Sequence, residues 1–576
     1  MTQLRVWAPS VRTMAVETGG RNIAMQPAGD GWWTCDDDAL APGADYALRV
    51  DGEGPFPDPR SPWQPAGVHG PSRRVDHDRF TWSDAGWQPM PLSSAVVYEL
   101  HVGTFTTEGT FDATIARLDH LVDLGVTHVE LMPVAAFPGD RGWGYDGVAL
   151  YAPHHAYGGP EGLKRLIDAC HARGLAVLLD VVYNHLGPDG NYLRQFGPYF
   201  TDRYTTPWGE AVNLDGRDSD EVRRFFIDNA LMWFRDYHID GLRLDAVHAI
   251  FDTSAIHFLA QLADEVADLQ AAIGRHLVLI AESDLNDPRL VRPAAAGGFA
   301  LDAQWNEDFH HALHAVLTGE RDGYYADFGG VGDLAAVLAR GFRYDGRHSA
   351  YRGRRHGAPA SGVSGHAFVG CLQNHDQVGN RAAGERTSHL LSAQQLRLGS
   401  TLLFTAPLVP MLFQGEEWGA STPFQYFTDH QDADLADMVR EGRRREFSAF
   451  GWDPEMVPDP QDPATCARSR LDWSELARAP HRDLLDWHRE LIALRARLPV
   501  LRDGRREHMS VDHDEDAGWL TLRRGDVLLV ANFADAPRQV PVGDLGGRRC
   551  MLRAPDDVSV SGGLASVPAH GVAIYA

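Results

Sequence analysis

The chain has 576 residues, 44% of them hydrophobic and 23% charged, with a formal net charge of −26. That length exceeds one small core and allows several domains, of which one can be a large α/β barrel. The acidic excess makes nucleic acid and anionic membranes poor partners, and no apolar run is long enough to span a bilayer.

Residues 1–88 carry short alternating runs, LRVWAPS, TMAVETGG and ADYALRV, bounded by Gly, Pro and Asp, which predict an N-terminal β-sandwich. The opening, MTQLRVWAPS, lacks the basic and apolar regions of a signal peptide. Five scattered cysteines (Cys35, Cys170, Cys371, Cys466, Cys550) form no CxxC pair, which fits a reducing cytoplasm. WSDAGWQPMPLSS reads as a linker.

From Val96 the pattern becomes strand, loop, helix, repeated. The candidate strands are VVYELHVGTF, HVELMPV, AVLLDVVYNH, GLRLDAV, LVLIAES, FALDAQW, AFVGCLQNHD and LVPMLFQGEE. Between them PEGLKRLIDACHARG, DEVRRFFIDNALMWFRDYHI and SAQQLRLGSTLLFTA have helical periodicity and termini. Eight apolar strands alternating with helices predict a (β/α)8 TIM barrel over residues 89–500. An open doubly wound sheet would need a Gly-rich phosphate loop after the first strand, and ELHVGTFTTEGTF is not one. The third strand-to-helix connection, 186–217, is long, with aromatics and Gly-Pro turns that predict an ordered excursion over the barrel mouth. Residues 501–576 return to β patterning in GWLTLRR, VLLVANF, RQVPV and GVAIYA, which predicts a C-terminal β-domain.

The C-terminal ends of barrel strands share one face, where active sites lie. Strand 3 ends in Asp180, Asn184 and His185, strand 4 carries Arg243 and Asp245, strand 5 ends in Glu282, and strand 7 in His375 and Asp376. One such acid alone is an ordinary salt bridge or cap. Three converging acids (Asp245, Glu282, Asp376) repel one another, an arrangement kept for a metal or for acid–base chemistry. Arg243 beside Asp245 disfavours a cation and favours an ionised nucleophile, so no metal and no cofactor are expected. A carboxylate nucleophile and a second carboxylic acid make a retaining glycosidase, with Asp245 attacking and Glu282 as acid and then base. Negative neighbours would raise the Glu282 pKa for that work. His185 and His375 suit sugar hydroxyls, and Tyr145 and Trp143 in GWGYDG either stack on a sugar ring or plug a turn. His248, Asp284 and Gln377 follow the three acids and are expected to face the leaving side.

DVVYNH (180–185), GLRLDAVHA (241–249), AESD (281–284) and LQNHDQ (372–377) resemble, in order and spacing, the four signature segments of the α-amylase family of glycoside hydrolases. The resemblance spans the barrel from about Val96 to Trp418 and implies a glucan-type oligosaccharide substrate. It implies Asp245 as nucleophile, Glu282 as acid/base and Asp376 as transition-state stabiliser. It further implies Arg243, His185 and His375 as binders before the cut, and Tyr145 as the stacking ring. LQNHDQVGNR, MLFQGEEWGASTPFQYFTDH and VWAP are similar to a subgroup that cuts the α-1,4 bond beside a terminal trehalose unit. Many amylases carry Lys-His after the nucleophile, where this chain has Ala246-Val247-His248. Two alternatives stay open: transfer to a sugar hydroxyl, as in branching enzymes, and a non-catalytic glucan-binding barrel. Secreted members of that family hold calcium in the long third-strand loop, for which the resemblance offers Asn184 and Asp215, and without other acids there no metal is expected.

Overall fold

The computed structural model describes residues 3–448 and 457–576. Eight parallel strands close into a barrel in sequence order: Val97–Leu100, His128–Leu131, Ala176–Val181, Gly241–Leu244, Val278–Ala281, Ala303–Trp305, Phe368–Cys371 and Val409–Phe413. Each falls inside one of the eight apolar segments. Every residue of these strands is buried, as parallel strands covered by helices require.

The three helices read from periodicity form over Gly159–His171, Ser219–Asp236 and Ala393–Thr405. The first has Pro near its start, and the third begins with a capping box between Ser392 and Gln395. Phe225, Phe226, Ala230 and Trp233 of the middle helix are all buried, a packing contribution of roughly 1.5–3 kcal/mol for each large apolar side chain.

Inside the barrel the lower layers are apolar, built from Val97, Leu178, Val278, Ile280, Val369 and Met411. Higher up, the inward positions turn polar. Asp180 lies in register with Arg243 on the next strand, so their side chains meet across one strand spacing.

The N-terminal β-structure comprises a three-stranded sheet and a second sheet ordered Arg21–Ala24, Met14–Thr18, Asp45–Val50, Glu53–Phe56. It leans on the long third connection, with Trp7 packing edge-on against Tyr199 at 5.6 Å and Phe56 against Phe196 at 6.4 Å. That connection is ordered: it folds into a hairpin, Phe200–Thr206 with Gly209–Val212. The segment that reads as a linker is a packed strap. Trp82 stacks on His238 at 3.8 Å, Trp87 stacks on His171 at 4.6 Å, and the Trp87 indole N–H donates to Asp240 at 2.9 Å. At the C-terminal end a five-stranded antiparallel sheet, Met509–Asp514 through Val572–Tyr575, packs against a three-stranded one through Leu528, Val530, Val540, Ala565 and Val567.

Candidate active site

Arg243 is the hub of the barrel mouth. It is fully buried, and its Nη1 donates to both Asp180 oxygens at 2.9 Å and to Asp245 Oδ1 at 2.7 Å. Its Nη2 lies 3.7 Å from Glu282 Oε2, and its guanidinium carbon sits 4.2 Å from the Trp305 ring centre. The side-chain amide of Asn184 donates to the second Asp245 oxygen at 2.8 Å. Burial works against ionisation of Asp245, but the Arg243 charge, helped by His185 and the Asn184 hydrogen bond, outweighs it and holds the carboxyl below its ordinary value.

Glu282 has the opposite environment. Burial is the largest influence, and the negative Asp245, Asp376 and Glu307 add to it against the pull of Arg243, pushing its pKa up to about 8. Its Oε2 accepts the backbone N–H of Ala246 at 2.6 Å. Ala246 follows the candidate nucleophile directly and adopts φ 41°, ψ 49°, a left-handed conformation that non-glycine residues avoid. The turn aims that N–H at Glu282, so local backbone strain holds the two carboxyl groups in a fixed relation.

His375 and Asp376 do not end the seventh strand. The strand stops at Cys371, and both residues sit in the first turn of a short helix, His375–Gly379. Asn374 caps that helix by accepting from the backbone N–H groups of Asp376 and Gln377. Asp376 is half exposed, accepts from Asn380 at 3.0 Å and lies 3.7 Å from His375 Nε2. His375 itself is buried: its Nδ1 contacts Glu99 Oε1 at 2.5 Å, and its Nε2 lies 2.8 Å from the Tyr145 hydroxyl. Burial alone would lower its pKa. Glu99 and then Asp376 reverse that and raise it to about 9, so the imidazolium donates at both nitrogens. Tyr145 passes the chain on, donating to Asp180 Oδ2 at 2.6 Å. Glu99, His375, Tyr145, Asp180, Arg243 and Asp245 thus form one hydrogen-bonded ladder that fixes the candidate nucleophile.

Tyr145 and Trp143 divide the two readings of GWGYDG. Trp143 is buried and stacks on Phe424 at 5.1 Å, which makes it a plug. Tyr145 is half-buried and lies parallel to the His375 ring at 5.1 Å, on the mouth. His185 contacts Asn184 Oδ1 at 2.5 Å and the Tyr145 carbonyl at 3.2 Å.

On the other side of Glu282, Asp284 is ion-paired with Arg352 at 3.0 Å. The charges of His248 and then Arg352 overcome its burial and lower its pKa. Gln377 is buried, with its amide N–H donating to Glu307 at 2.7 Å and its oxygen accepting from the Asn374 backbone at 2.9 Å. Its oxygen closes the capping box of its own helix, and its amide ties that helix to the start of the helix Glu307–Thr318. The Asn184 amide is committed to Asp245, and Asp215 Oδ2 accepts from Tyr204 and Thr253 while its Oδ1 lies 3.5 Å from Arg203.

Several residues at the mouth escaped the sequence reading. Trp208, half exposed at the hairpin turn, stacks on His185 at 4.4 Å with the rings 4° from parallel. Glu307, the first residue of the helix Glu307–Thr318 that follows the sixth strand, is pushed up to about 7 by burial and then by Asp376. Tyr351, next to Arg352 in the chain, and Tyr324, on the turn Gly323–Tyr325, are exposed aromatics. Glu99 was visible as an acid inside the apolar run VVYELH. Trp208 had no signal beyond its place in a long loop.

A buried arginine held between two carboxylates, a neighbouring carboxyl with a raised pKa, and a further acid at the rim of a (β/α)8 barrel are the arrangement of an α-amylase-family glycoside hydrolase. The α-amylase catalytic-domain model matches residues 75–204, and a domain of unknown function, DUF3459, matches 504–574. The chain is 53% identical over 541 residues to the malto-oligosyltrehalose trehalohydrolase of Arthrobacter ramosus, covering 93% of each. It is 48% identical to that of Rhizobium sp. (99% and 96% covered) and 43% identical to that of Saccharolobus solfataricus (92% and 90%). The chain belongs to the malto-oligosyltrehalose trehalohydrolases. A crystal structure of a Salmonella typhimurium protein, 40% identical, superposes with a TM-score of 0.91 over 99% of this chain and 97% of its own. A Paenibacillus barengoltzii pullulanase, at 20% identity and TM-score 0.74, shares the fold.

Proposed function

We propose that the chain hydrolyses the α-1,4-glucosidic bond next to the terminal trehalose of maltooligosyltrehalose, releasing trehalose with retention at the anomeric carbon. The observation that carries the chemistry is the opposed tuning of two neighbouring carboxyl groups, Asp245 held down by Arg243 and Glu282 raised to about 8. Asp245 attacks the anomeric carbon to give a glycosyl-enzyme while Glu282 protonates the departing glucose oxygen. Glu282, now ionised, takes a proton from water, which opens the ester and restores both groups. Asp376 holds sugar hydroxyls and faces the positive charge of the oxocarbenium-like state. His185, the His375 imidazolium, Tyr145 and Arg243 act before the cut, and Trp208 extends that surface.

Specificity then lies on the leaving side. Trehalose is bent by its α,α-1,1 linkage, so its last glucose leaves the path of a maltose unit. Asp284, Arg352 and His248, with Tyr351 next to Arg352 in the chain, are the groups that would read it. Each buried partner lost when maltose sits there costs about 1–3 kcal/mol, so two losses give about 10²–10³-fold discrimination in kcat/KM. The identity and coverage of the trehalohydrolase relatives support this reading over branching. A branching enzyme of Vibrio parahaemolyticus is 32% identical over 53% of this chain. A non-catalytic barrel would have no use for the strained Ala246 turn and the tuned acids.

Among the described residues no helix is long and apolar enough to cross a membrane, and the reading places the enzyme in the cytoplasm. A maltooligosyltrehalose synthase is its pathway neighbour, supplying the substrate. The test is chromatography of products from maltooligosyltrehalose and from maltooligosaccharides of equal length. Trehalose released at least about 10²-fold faster than any maltose cut supports the assignment. Equal rates, or new branch points without reducing sugar or trehalose, overturn it.

A further inference from the structure

Lys164 is the single lysine among 53 basic residues. It lies on the helix Gly159–His171 and is 2% exposed. Its Nζ donates to the His77 carbonyl at 2.9 Å and sits 5.5–5.9 Å from the ring centres of Tyr237, Phe80 and Trp82. Among the described residues no carboxylate pairs with it. Two of its three donors therefore have only ring faces near the limit of cation–π reach. Burial is the largest influence on this ammonium and lowers its pKa; Asp236, Asp78, Asp76 and Glu161 oppose it through their charge without pairing with it.

This lysine lines a cavity of about 470 Å³ between the N-terminal β-structure and the barrel, a volume suited to a small metabolite. Arg73, Arg74, Arg79 and Arg165 line it too, against two acids, Asp76 and Glu161. The lining thus gathers five cationic side chains against two acids, with Asp78 and Asp236 close to Lys164. Arg73 and Arg165 are held by Asp45 and Asp112, which fixes their guanidinium planes at the wall. Arg79 carries no ion pair among the described residues. The Trp63 indole N–H, also at the cavity, is buried without a hydrogen-bond partner, and its ring is covered by Arg73 at 5.0 Å. The helix start at Gly159 adds its positive dipole end on the same side.

We propose that this cavity binds a phosphate-bearing small molecule, the phosphate meeting Lys164 and Arg79 and any attached sugar lying against Trp63. The site is remote in residue composition from the catalytic ladder and does not depend on the glycosidase reading. It would tie the N-terminal β-structure to the barrel when occupied.

A chain with one lysine offers a direct test. Pyridoxal 5′-phosphate condenses with a free amine, losing water, and borohydride reduces the imine to a stable secondary amine. Peptide mass mapping then reads labelling at Lys164, with the N-terminal amine as internal control. We expect pyridoxal 5′-phosphate to label Lys164 at least about 10-fold faster than pyridoxal, and the Arg79→Ala variant to lose most of that preference. Millimolar glucose 6-phosphate should protect Lys164 and raise Tm by about 2 °C or more, while glucose and trehalose do neither. Orthophosphate as effective as glucose 6-phosphate assigns the site to free phosphate; weaker protection assigns it to a sugar phosphate. Equal labelling by the two aldehydes, or no protection and no Tm shift with either phosphate, overturns the proposal.

Discussion

If Glu282 is the acid, its raised pKa sets the alkaline limit of the enzyme. An ordinary glutamate near 4.5 would be protonated in about 0.3% of molecules at pH 7, whereas a group at about 8 is protonated in roughly nine-tenths of them. The environment thus supplies about 300-fold more of the competent form. Because the group must be protonated to give its proton, kcat/KM should hold through pH 7 and fall about tenfold per pH unit above about 8. The acid limb belongs to Asp245, which must be ionised and is held below its ordinary value, so the plateau is broad. Glu307 is one of the negative neighbours that raise Glu282, so Glu307→Gln should move the alkaline limb to lower pH. The measurement is initial rate at low substrate across pH 4–10, wild type against Glu307→Gln. An alkaline limb below about pH 6, or one unmoved in the variant, would refute the electrostatic account.

Asp245→Asn and Glu282→Gln should each cut turnover by about 10³-fold or more with the fold retained; either variant within about 10-fold of wild type ends its assignment. The first product should be the α-anomer by NMR, and a β-configured product would exclude double displacement. Glu99→Gln tests the ladder through stability. The raised His375 pKa stabilises the fold below the unfolded value of 6.5 and loses that contribution as pH rises through about 9. The variant should therefore be about 2–3 kcal/mol less stable at pH 7, with the gap closing by pH 10, and a pH-independent difference in urea midpoints would contradict it. Trp208→Ala should raise KM about 3–10-fold with kcat little changed, and unchanged KM would remove the ring from the binding surface.

All eight barrel strands were legible because buried parallel strands write continuous apolar runs, and the polar residues closing them stood out for the same reason. The level of the seventh pair was misread: the strand ends at Cys371, and the polar Asn374 caps a helix instead of tipping a strand. Sequence spacing does not separate those two because both place the acid at the mouth. The leaving side was the least legible part. Arg352 reaches Asp284 from 68 residues away, and only folding brings such partners together. The sequence likewise does not show that the Gln377 amide donates to Glu307, 70 residues upstream. The strap was read as a linker because its tryptophans are separated by turn residues, and their partners, His171 and His238, lie far along the chain.

The contacts of Trp7 and Phe56 with the third connection bear on how such enzymes can be taken apart. The loop that leads into the hairpin bearing Trp208 is backed at Phe196 and Tyr199 by the N-terminal sheets. A truncated chain beginning at the barrel would keep every acid in place yet lose the packing behind the loop that leads into that hairpin, and with it the grip on long substrates. Chimeras that exchange barrels between relatives should carry the N-terminal β-structure with them as one unit.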